Sequence, residues 1–228
     1  MLFDLGGVLL RLDYDAIAHC AAERGVRLAP VALALAEGRA RRAIDARAGL
    51  QGRVAGSDAT RLPDYFDDLL EAAGVTEDRR AELVGRLRAH HRDRNLWRVP
   101  LAGARETLDA LRGAGLRTAV VSNADGRAAA LLRDAGLADA LDLVVDSHWE
   151  GVEKPDPEIF RRALARLAVD AARAAFVGDI WSIDVLGSRA AGLRPILLDA
   201  TGGYVDAACE RIAQLGDLLG LPGFGGAR

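Results

Sequence analysis

Four separated segments of the chain carry side chains of the types that bind phosphate and divalent cations. Asp4 and Ser122-Asn123 each follow a short apolar run, Lys154 opens a proline-rich turn, and Gly178-Asp179 ends another apolar run, with Asp184 five residues later. Carboxylate oxygens are hard ligands that suit Mg²⁺. A hydroxyl, backbone amides and an ammonium can hold the other oxygens of a phosphate group. These residue types together indicate a site for Mg²⁺ and a small phosphorylated molecule.

Lys154 is the only lysine among 30 basic residues, and all the others are arginine. Such a bias indicates that position 154 requires a compact ammonium and does not admit a planar guanidinium. The lysine precedes Pro155, and Asp156 and Pro157 that follow are typical of the N-cap and first position of a helix. We therefore expect Lys154 on a stiff loop at a helix N-terminus, where anions are favoured.

The elements that must position these residues alternate between strand and helix after Pro100. We expect strands at residues 1–3, 117–122, 141–146, 174–179 and 194–199, and helices at residues 102–114, 125–135, 157–167, 182–191 and 205–219. A block of about four helices separates the first strand from the others, at residues 14–24, 31–48, 58–73 and 77–91. This pattern predicts an α/β fold with a doubly wound parallel sheet covered on both faces. Ligands of such sheets bind outside the carboxyl ends of the strands, where the residues above converge.

Composition narrows the classes of partner. The chain has 228 residues, 50% of them apolar, and a net charge of −3, which fits one large domain or one domain with an insertion. Nucleic acid is not expected because no basic block is present, and a membrane is not expected because the apolar runs are far shorter than about 20 residues. Cys20 and Cys209 are too few for a disulfide framework, so a cytoplasmic protein is expected.

The start of the chain leaves one alternative open. Only three residues precede Asp4, whereas about five or six are usual for a strand. A true start a few residues upstream stays an alternative.

Four segments resemble, in order, the four motifs of the haloacid dehalogenase superfamily: FDLGGVL at 3–9, VVSN at 120–123, GVEKPDPEIF at 151–160 and FVGDIWSID at 176–184. The helical block after the first motif resembles the C1-type cap of subfamily I. The resemblance implies a Rossmann-like core of residues 1–13 and 98–228, with strand order 3-2-1-4-5, and a helical cap of residues 14–97. It also implies a hydrolase, since the family consists mostly of Mg²⁺-dependent phosphatases of small metabolites, with some phosphomutases and a few dehalogenases.

The resemblance implies a role for each residue named above. Asp4 is expected to be the nucleophile that forms an aspartyl-phosphate, and its carboxylate also binds Mg²⁺. Asp179 is an expected metal ligand, and Asp184 is expected to hold a metal-bound water or to orient Lys154. Ser122-Asn123 and Lys154 are expected to bind the phosphoryl group of a small phosphorylated metabolite. The oligomeric state is left open between monomer and homodimer.

Gly6 departs from the family pattern. Most of the family's phosphatases have a second aspartate here, which protonates the leaving group, whereas Gly6 can offer only its backbone carbonyl to the metal. A positioned acid or base typically contributes about 10²–10⁴-fold to a rate. Three alternatives follow: a phosphatase for good leaving groups such as anomeric or acyl phosphates, a 2-haloacid dehalogenase, or a non-catalytic module that binds a phosphorylated metabolite.

Several other polar residues have two interpretations. Asp125 is expected to cap the following helix, although it could replace the missing acid. The Arg39–Arg47 cluster and the His90–His91 pair are expected on solvated surfaces. Among the tryptophans, Trp181 is a candidate for the substrate pocket because it lies between Asp179 and Asp184, whereas Trp97 and Trp149 are expected in the core or at a hinge.

Overall fold

The computed structural model describes the backbone of residues 1–51 and 58–224 and the side chains of residues 1–48 and 64–224. The strands are β1 (Leu2–Phe3), β2 (Leu10–Leu12), β3 (Trp97–Pro100), β4 (Ala119–Ser122), β5 (Leu143–Asp146), β6 (Ala175–Gly178), β7 (Arg194–Leu198) and β8 (Glu210–Ile212). The α-helices are α1 (Tyr14–Ala22), α2 (Pro30–Gln51), α3 (Asp58–Ala72), α4 (Glu77–Asp93), α5 (Ala104–Gly113), α6 (Ala128–Asp134), α7 (Ser147–Glu150), α8 (Pro157–Leu167) and α9 (Leu186–Ala190).

A six-stranded parallel sheet forms the centre of the fold, in the order β5-β4-β1-β6-β7-β8. The predicted doubly wound sheet is confirmed, and its first five strands follow the expected order 3-2-1-4-5. Successive residues of the central strands enter two different hydrophobic clusters: Phe3 and Val177 pack in one, and Leu2 and Phe176 in the other. This alternation reflects the two-residue period of a strand with both faces buried.

The expected helix at residues 205–219 is wrong. Strand β8 lies there instead, pairing in parallel with β7 through Leu198 and Ile212, and a 3₁₀-helix, Leu215–Gly220, follows. Ile212, Leu215 and Leu218 are buried at intervals of three residues. That spacing matches the three-residue turn of a 3₁₀-helix as well as one face of an α-helix, so periodicity alone did not distinguish them.

Helices α1 to α4 form the predicted helical insertion, and they lie between β2 and β3. Strands β2 and β3 form an antiparallel pair, so the chain enters and leaves the helices at neighbouring positions. The helices supply most of a third hydrophobic cluster, which includes Leu33, Phe66 and Leu87 and also Ile183 of the core. In the part of the chain that the structure describes, none of the helices combines the length and the apolarity needed to cross a bilayer.

Candidate active site

Three carboxylates meet at the carboxyl ends of two paired strands. Asp4 follows β1, and Asp179 and Asp184 follow β6, which pairs with β1. Oxygen atoms from the three side chains lie within 4.8 Å of one another. Because the residues are buried, their negative charges repel one another strongly unless cations or protons neutralise them.

Lys154 supplies one of these positive charges from the core. Its Nζ atom lies 2.8 Å from Asp4 Oδ1 and 2.7 Å from Asp184 Oδ1. The residue is 1% exposed, and its ammonium lies 5.2 Å from the ring centroid of Phe176. Burial favours the neutral amine, but the attraction of Asp184 and then of Asp4 outweighs it, and the pKa of Lys154 is raised. The ammonium therefore stays charged and fixes both carboxylates.

The loop that presents Lys154 is held at both ends. The backbone N–H of Lys154 donates to Asn123 Oδ1 at 2.7 Å, and Asn123 Nδ2 donates to the Lys154 carbonyl at 2.8 Å. On the other side, Asp156 is the predicted N-cap of α8 and accepts from the N–H of Glu158 at 2.9 Å. The amide of Asn123, expected to contact substrate, thus positions Lys154, and it also lies on the cavity wall described below.

Asp184 is presented by a π-helix, Trp181–Val185, that follows Asp179. Its Oδ2 accepts from the backbone N–H groups of Asp179 and Ile180, both at 3.0 Å. A Cβ atom at Gly178 would lie 2.2 Å from the Cβ of Asp184, so the close approach requires glycine at the end of β6. Asp184 is thereby fixed through one oxygen while its other oxygen contacts Lys154.

Arg41 of α2 supplies a second positive charge, from the helical insertion. Its Nε atom lies 2.7 Å from Asp179 Oδ2 and its Nη2 atom lies 3.0 Å from Glu37 Oε1. Glu37 is 2% exposed and accepts hydrogen bonds from the hydroxyls of Tyr14 and Tyr65. The expectation of a solvated outer face at Arg39–Arg47 is therefore wrong for Arg41, whose side chain is 11% exposed.

The helical period contains a signal that predicts this burial. Leu33, Ala40 and Ile44 are buried on α2, and Glu37 and Arg41 share their three-and-four spacing. Both charged residues consequently lie on the packed side of the helix, which the arginine-rich composition of the segment obscured.

The residues at this centre fit a magnesium ion. Asp179 Oδ1 is buried and has no hydrogen-bond partner among the described residues. Burial raises the pKa of Asp4 despite Lys154, and raises that of Asp179 well above its ordinary value despite Arg41, because the neighbouring carboxylates also oppose ionisation. Additional positive charge is therefore favourable here, and the donors are the hard oxygens that Mg²⁺ prefers.

A cavity of about 790 Å³ opens over these residues. Ser122, at the end of β4, lies on its wall together with Gly6, and Trp97 contributes from the base of the insertion. A Cβ atom at Gly6 would lie 3.0 Å from Trp97 Cδ1, so the indole covers this position.

Trp181 is not among the described lining residues. Its ring instead lies against the guanidinium of Arg189, 5.5 Å from the centroid. Trp149 is 73% exposed, so the expectation of a core position is wrong for that residue.

Asp45 links α2 to the core beside the carboxylates. It accepts from the backbone N–H groups of Ser182 at 2.7 Å and Trp181 at 3.2 Å, and from the hydroxyl of Tyr204 at 2.5 Å. These contacts hold the first turn of the π-helix that carries Asp184. Sequence reasoning missed Asp45, since nothing local indicates which core loop an inserted helix contacts.

Asp125 does not cap α6, contrary to expectation. The N-cap position is Arg127, whose side chain donates to Asp125, and Asp146 accepts from the N–H of Ala128 at 3.2 Å. Burial favours the neutral acid, but the bonds from Arg127 prevail and lower the pKa of Asp125.

The expectation of a solvated surface is wrong for His91, which is 8% exposed and accepts from the N–H of Leu96 through Nδ1.

Known proteins resemble this chain in sequence and in fold. The sequence profile of the haloacid dehalogenase-like hydrolase family matches residues 1–192. Haloacid dehalogenase-like hydrolase domain-containing protein 3 of Mus musculus is 46% identical over 102 residues, 45% of this chain and 40% of that protein. Phosphoserine phosphatase of Thermus thermophilus is 36% identical over 156 residues, 67% of this chain and 60% of that protein. The chain thus spans about half the length of these curated relatives.

Among solved structures, a HAD phosphatase from Thermococcus onnurineus superposes with a TM-score of 0.60 at 22% identity. The match covers 99% of this chain and 98% of that chain. At this identity the likeness shows a shared fold, including the helical insertion.

Proposed function

Since the chain belongs to the haloacid dehalogenase-like hydrolase family, we propose that it is a Mg²⁺-dependent phosphatase of small phosphorylated metabolites. The observation that carries the proposal is the bridge of Lys154 between Asp4 and Asp184, beside Asp179 and on the wall of one cavity. A carboxylate held by an ammonium next to hard oxygen donors is suited to attack a phosphoryl group. The relative from Thermus thermophilus is a phosphoserine phosphatase by name, which supports the same reaction class.

In the proposed reaction, an oxygen of Asp4 attacks phosphorus and the bond from phosphorus to the leaving oxygen breaks. The resulting acyl phosphate on Asp4 is then attacked at phosphorus by water, which releases inorganic phosphate and a proton and restores the carboxylate. Lys154 and the hydroxyl of Ser122 hold the phosphoryl oxygens during both displacements. Asp184 keeps the ammonium of Lys154 in place.

Asp4, Asp179 and Asp184, with the carbonyl of Gly6, would hold the magnesium ion. When bound, the ion supplies positive charge against the phosphoryl oxygens. We assign residues 14–97 to a cap that excludes water from the cavity, and residues 1–13 and 98–228 to the core.

The leaving group determines which metabolites are good substrates. Gly6 offers no acid, Trp97 covers its position, and Asp125 is a poor proton donor because Arg127 lowers its pKa. A substrate whose leaving oxygen needs little protonation reduces this deficit, as expected for anomeric and acyl phosphates, and the leaving oxygen then takes its proton from water. We therefore propose that the enzyme prefers such phosphates over primary alkyl phosphates.

Phosphate release from glucose 1-phosphate, acetyl phosphate and glycerol 3-phosphate, with and without Mg²⁺, tests the proposal. We expect Mg²⁺-dependent turnover that Asp4→Asn abolishes and that Asp206→Asn, a substitution of an exposed carboxylate outside the cavity, preserves. Equal rates for alkyl and anomeric phosphates would refute the leaving-group preference.

Absence of turnover with every phosphate would refute the phosphatase. Mg²⁺-dependent binding of the same compounds without turnover would then identify a binding module, and halide release from 2-chloropropionate would identify a dehalogenase.

A further inference from the structure

Two arginines of α4 bring positive charge to the cavity. Arg88 and Arg92 both lie on its wall, and their spacing of four residues places them on the same side of the helix. Both are exposed, and across the described residues no carboxylate lies within ion-pair distance of either guanidinium. Arg86 of the same helix, in contrast, pairs with Glu23. An exposed arginine that no described carboxylate engages can bind an anion from solution.

The end of α4 that carries these arginines is attached to the core. Arg127 donates to the carbonyl of Arg92 at 3.1 Å and to that of His91 at 3.0 Å. Arg127 lies on the loop that follows Ser122, a residue proposed to bind the phosphoryl group. The bonds from Arg127 therefore attach the end of α4 to the same side of the cavity as Ser122. His91 adds no charge near neutral pH, since burial and Arg127 lower its pKa to about 4.

We propose that Arg88 and Arg92 form a second anion-binding subsite, which selects phosphorylated metabolites that carry another anionic group, either a carboxylate or a second phosphate. The inference rests on the proposed function and specifies its substrate class. Guanidinium groups match the paired oxygens of both anions. A cavity of about 790 Å³ lies within the range that encloses a metabolite with two such groups.

The test uses phosphonates, because their carbon–phosphorus bond resists hydrolysis and native protein can be used. Calorimetry with Mg²⁺ present compares ω-phosphonocarboxylates of three to six carbons with alkylphosphonates of equal length, and then with α,ω-bisphosphonates. We expect at least one bis-anion to bind about tenfold more tightly than its alkyl partner. The preference corresponds to about 1.4 kcal/mol and decreases with added salt because the arginines are exposed.

Substitutions identify the residues responsible. The double variant Arg88→Gln/Arg92→Gln should lose the preference while its affinity for alkylphosphonates stays unchanged. Arg94→Gln, which removes an exposed arginine of the same helix end outside the described cavity wall, should keep it. The two bis-anion series show whether carboxylate or phosphate is preferred.

Equal affinity for bis-anions and alkylphosphonates, or a preference that survives in the double variant, would overturn the inference. The phosphatase is judged separately, by Mg²⁺-dependent phosphate release, so failure of either proposal is recognisable without the other.

Discussion

Replacing Lys154 by methionine should strongly destabilise the folded protein. The substitution preserves most of the apolar stem but removes an ammonium that lies 2.7–2.8 Å from two buried carboxylates. Removing one partner of a buried ion pair costs about 3–5 kcal/mol, because the remaining charge stays desolvated. Two carboxylates lose their partner here, and Arg41 contacts only the third, Asp179. We therefore expect the free energy of unfolding at pH 7.5 to decrease by about 3–5 kcal/mol.

Urea denaturation followed by tryptophan fluorescence measures this loss, and its pH dependence identifies the cause. Without Lys154, Asp4 takes up a proton more readily in the folded state than in the unfolded state. A carboxyl with such a raised pKa adds stability at low pH, and the contribution is lost as the pH rises through the folded pKa. The deficit of Lys154→Met relative to the native protein should therefore be smaller at pH 5.5 than at pH 7.5.

Mg²⁺ provides an independent check. A cation that replaces the missing charge should stabilise the variant by about 1.4 kcal/mol at a concentration of ten times its dissociation constant. Arg24→Met, which removes an exposed ion pair with Glu82, is the control and should leave stability nearly unchanged. A loss below about 1 kcal/mol for Lys154→Met, or an equal loss at both pH values, would contradict the proposed charge balance.

Three further perturbations test other parts of the structure. Gly6→Ala should cost about 1–3 kcal/mol in urea denaturation because its Cβ would lie 3.0 Å from Trp97 Cδ1, and the same substitution should cost less in a Trp97→Leu background. Equal costs in the two backgrounds would show that the indole does not oppose a side chain at position 6. Asp45→Asn should weaken Mg²⁺ binding about tenfold in a fluorescence titration, since it replaces one of the two acceptor oxygens that hold the start of the π-helix carrying Asp184, and unchanged affinity would refute this positioning role. Burial lowers the pKa of His91 to about 4, so as the pH falls the unfolded chain protonates this imidazole before the folded protein does. The free energy of unfolding should therefore fall by about 3 kcal/mol between pH 6.5 and 4. His91→Asn should reduce this pH dependence, and an unaltered slope would assign it to other groups.

The sheet and its crevice were predictable because their signals are local or topological. Strand and helix alternate after Pro100, and parallel strands of a doubly wound sheet must end at one edge. Asp4, Asp179 and Lys154 therefore converge as expected, although Lys154 and Asp179 follow Asp4 by 150 and 175 positions in sequence.

The antiparallel pair of β2 and β3 was not predicted. Its strands are three and four residues long and are joined through the whole helical block, so neither segment carries a turn signal for the other. The same limit applies to Asp45 and Trp97, and to the contact of Arg41 with Asp179. Helical periodicity indicates that Arg41 is buried, but which core residue it contacts depends on the long-range packing of the insertion on the core.

The two buried cations of the site explain why the chain keeps one lysine among its many arginines. At position 154 a single nitrogen must lie within 2.8 Å of oxygens from both Asp4 and Asp184, which a compact ammonium on a flexible stem can do. At position 41 the cation contacts Asp179 through Nε and Glu37 through Nη2. These contacts need two nitrogen atoms of the same charged group, which a guanidinium has. A guanidinium at position 154 would have to turn one donor toward the ring of Phe176, and an ammonium at position 41 would lose one of its two carboxylates. Lysine thus fits the position where two carboxylates approach a single nitrogen, and arginine fits the position where two carboxylates approach different nitrogens of one guanidinium.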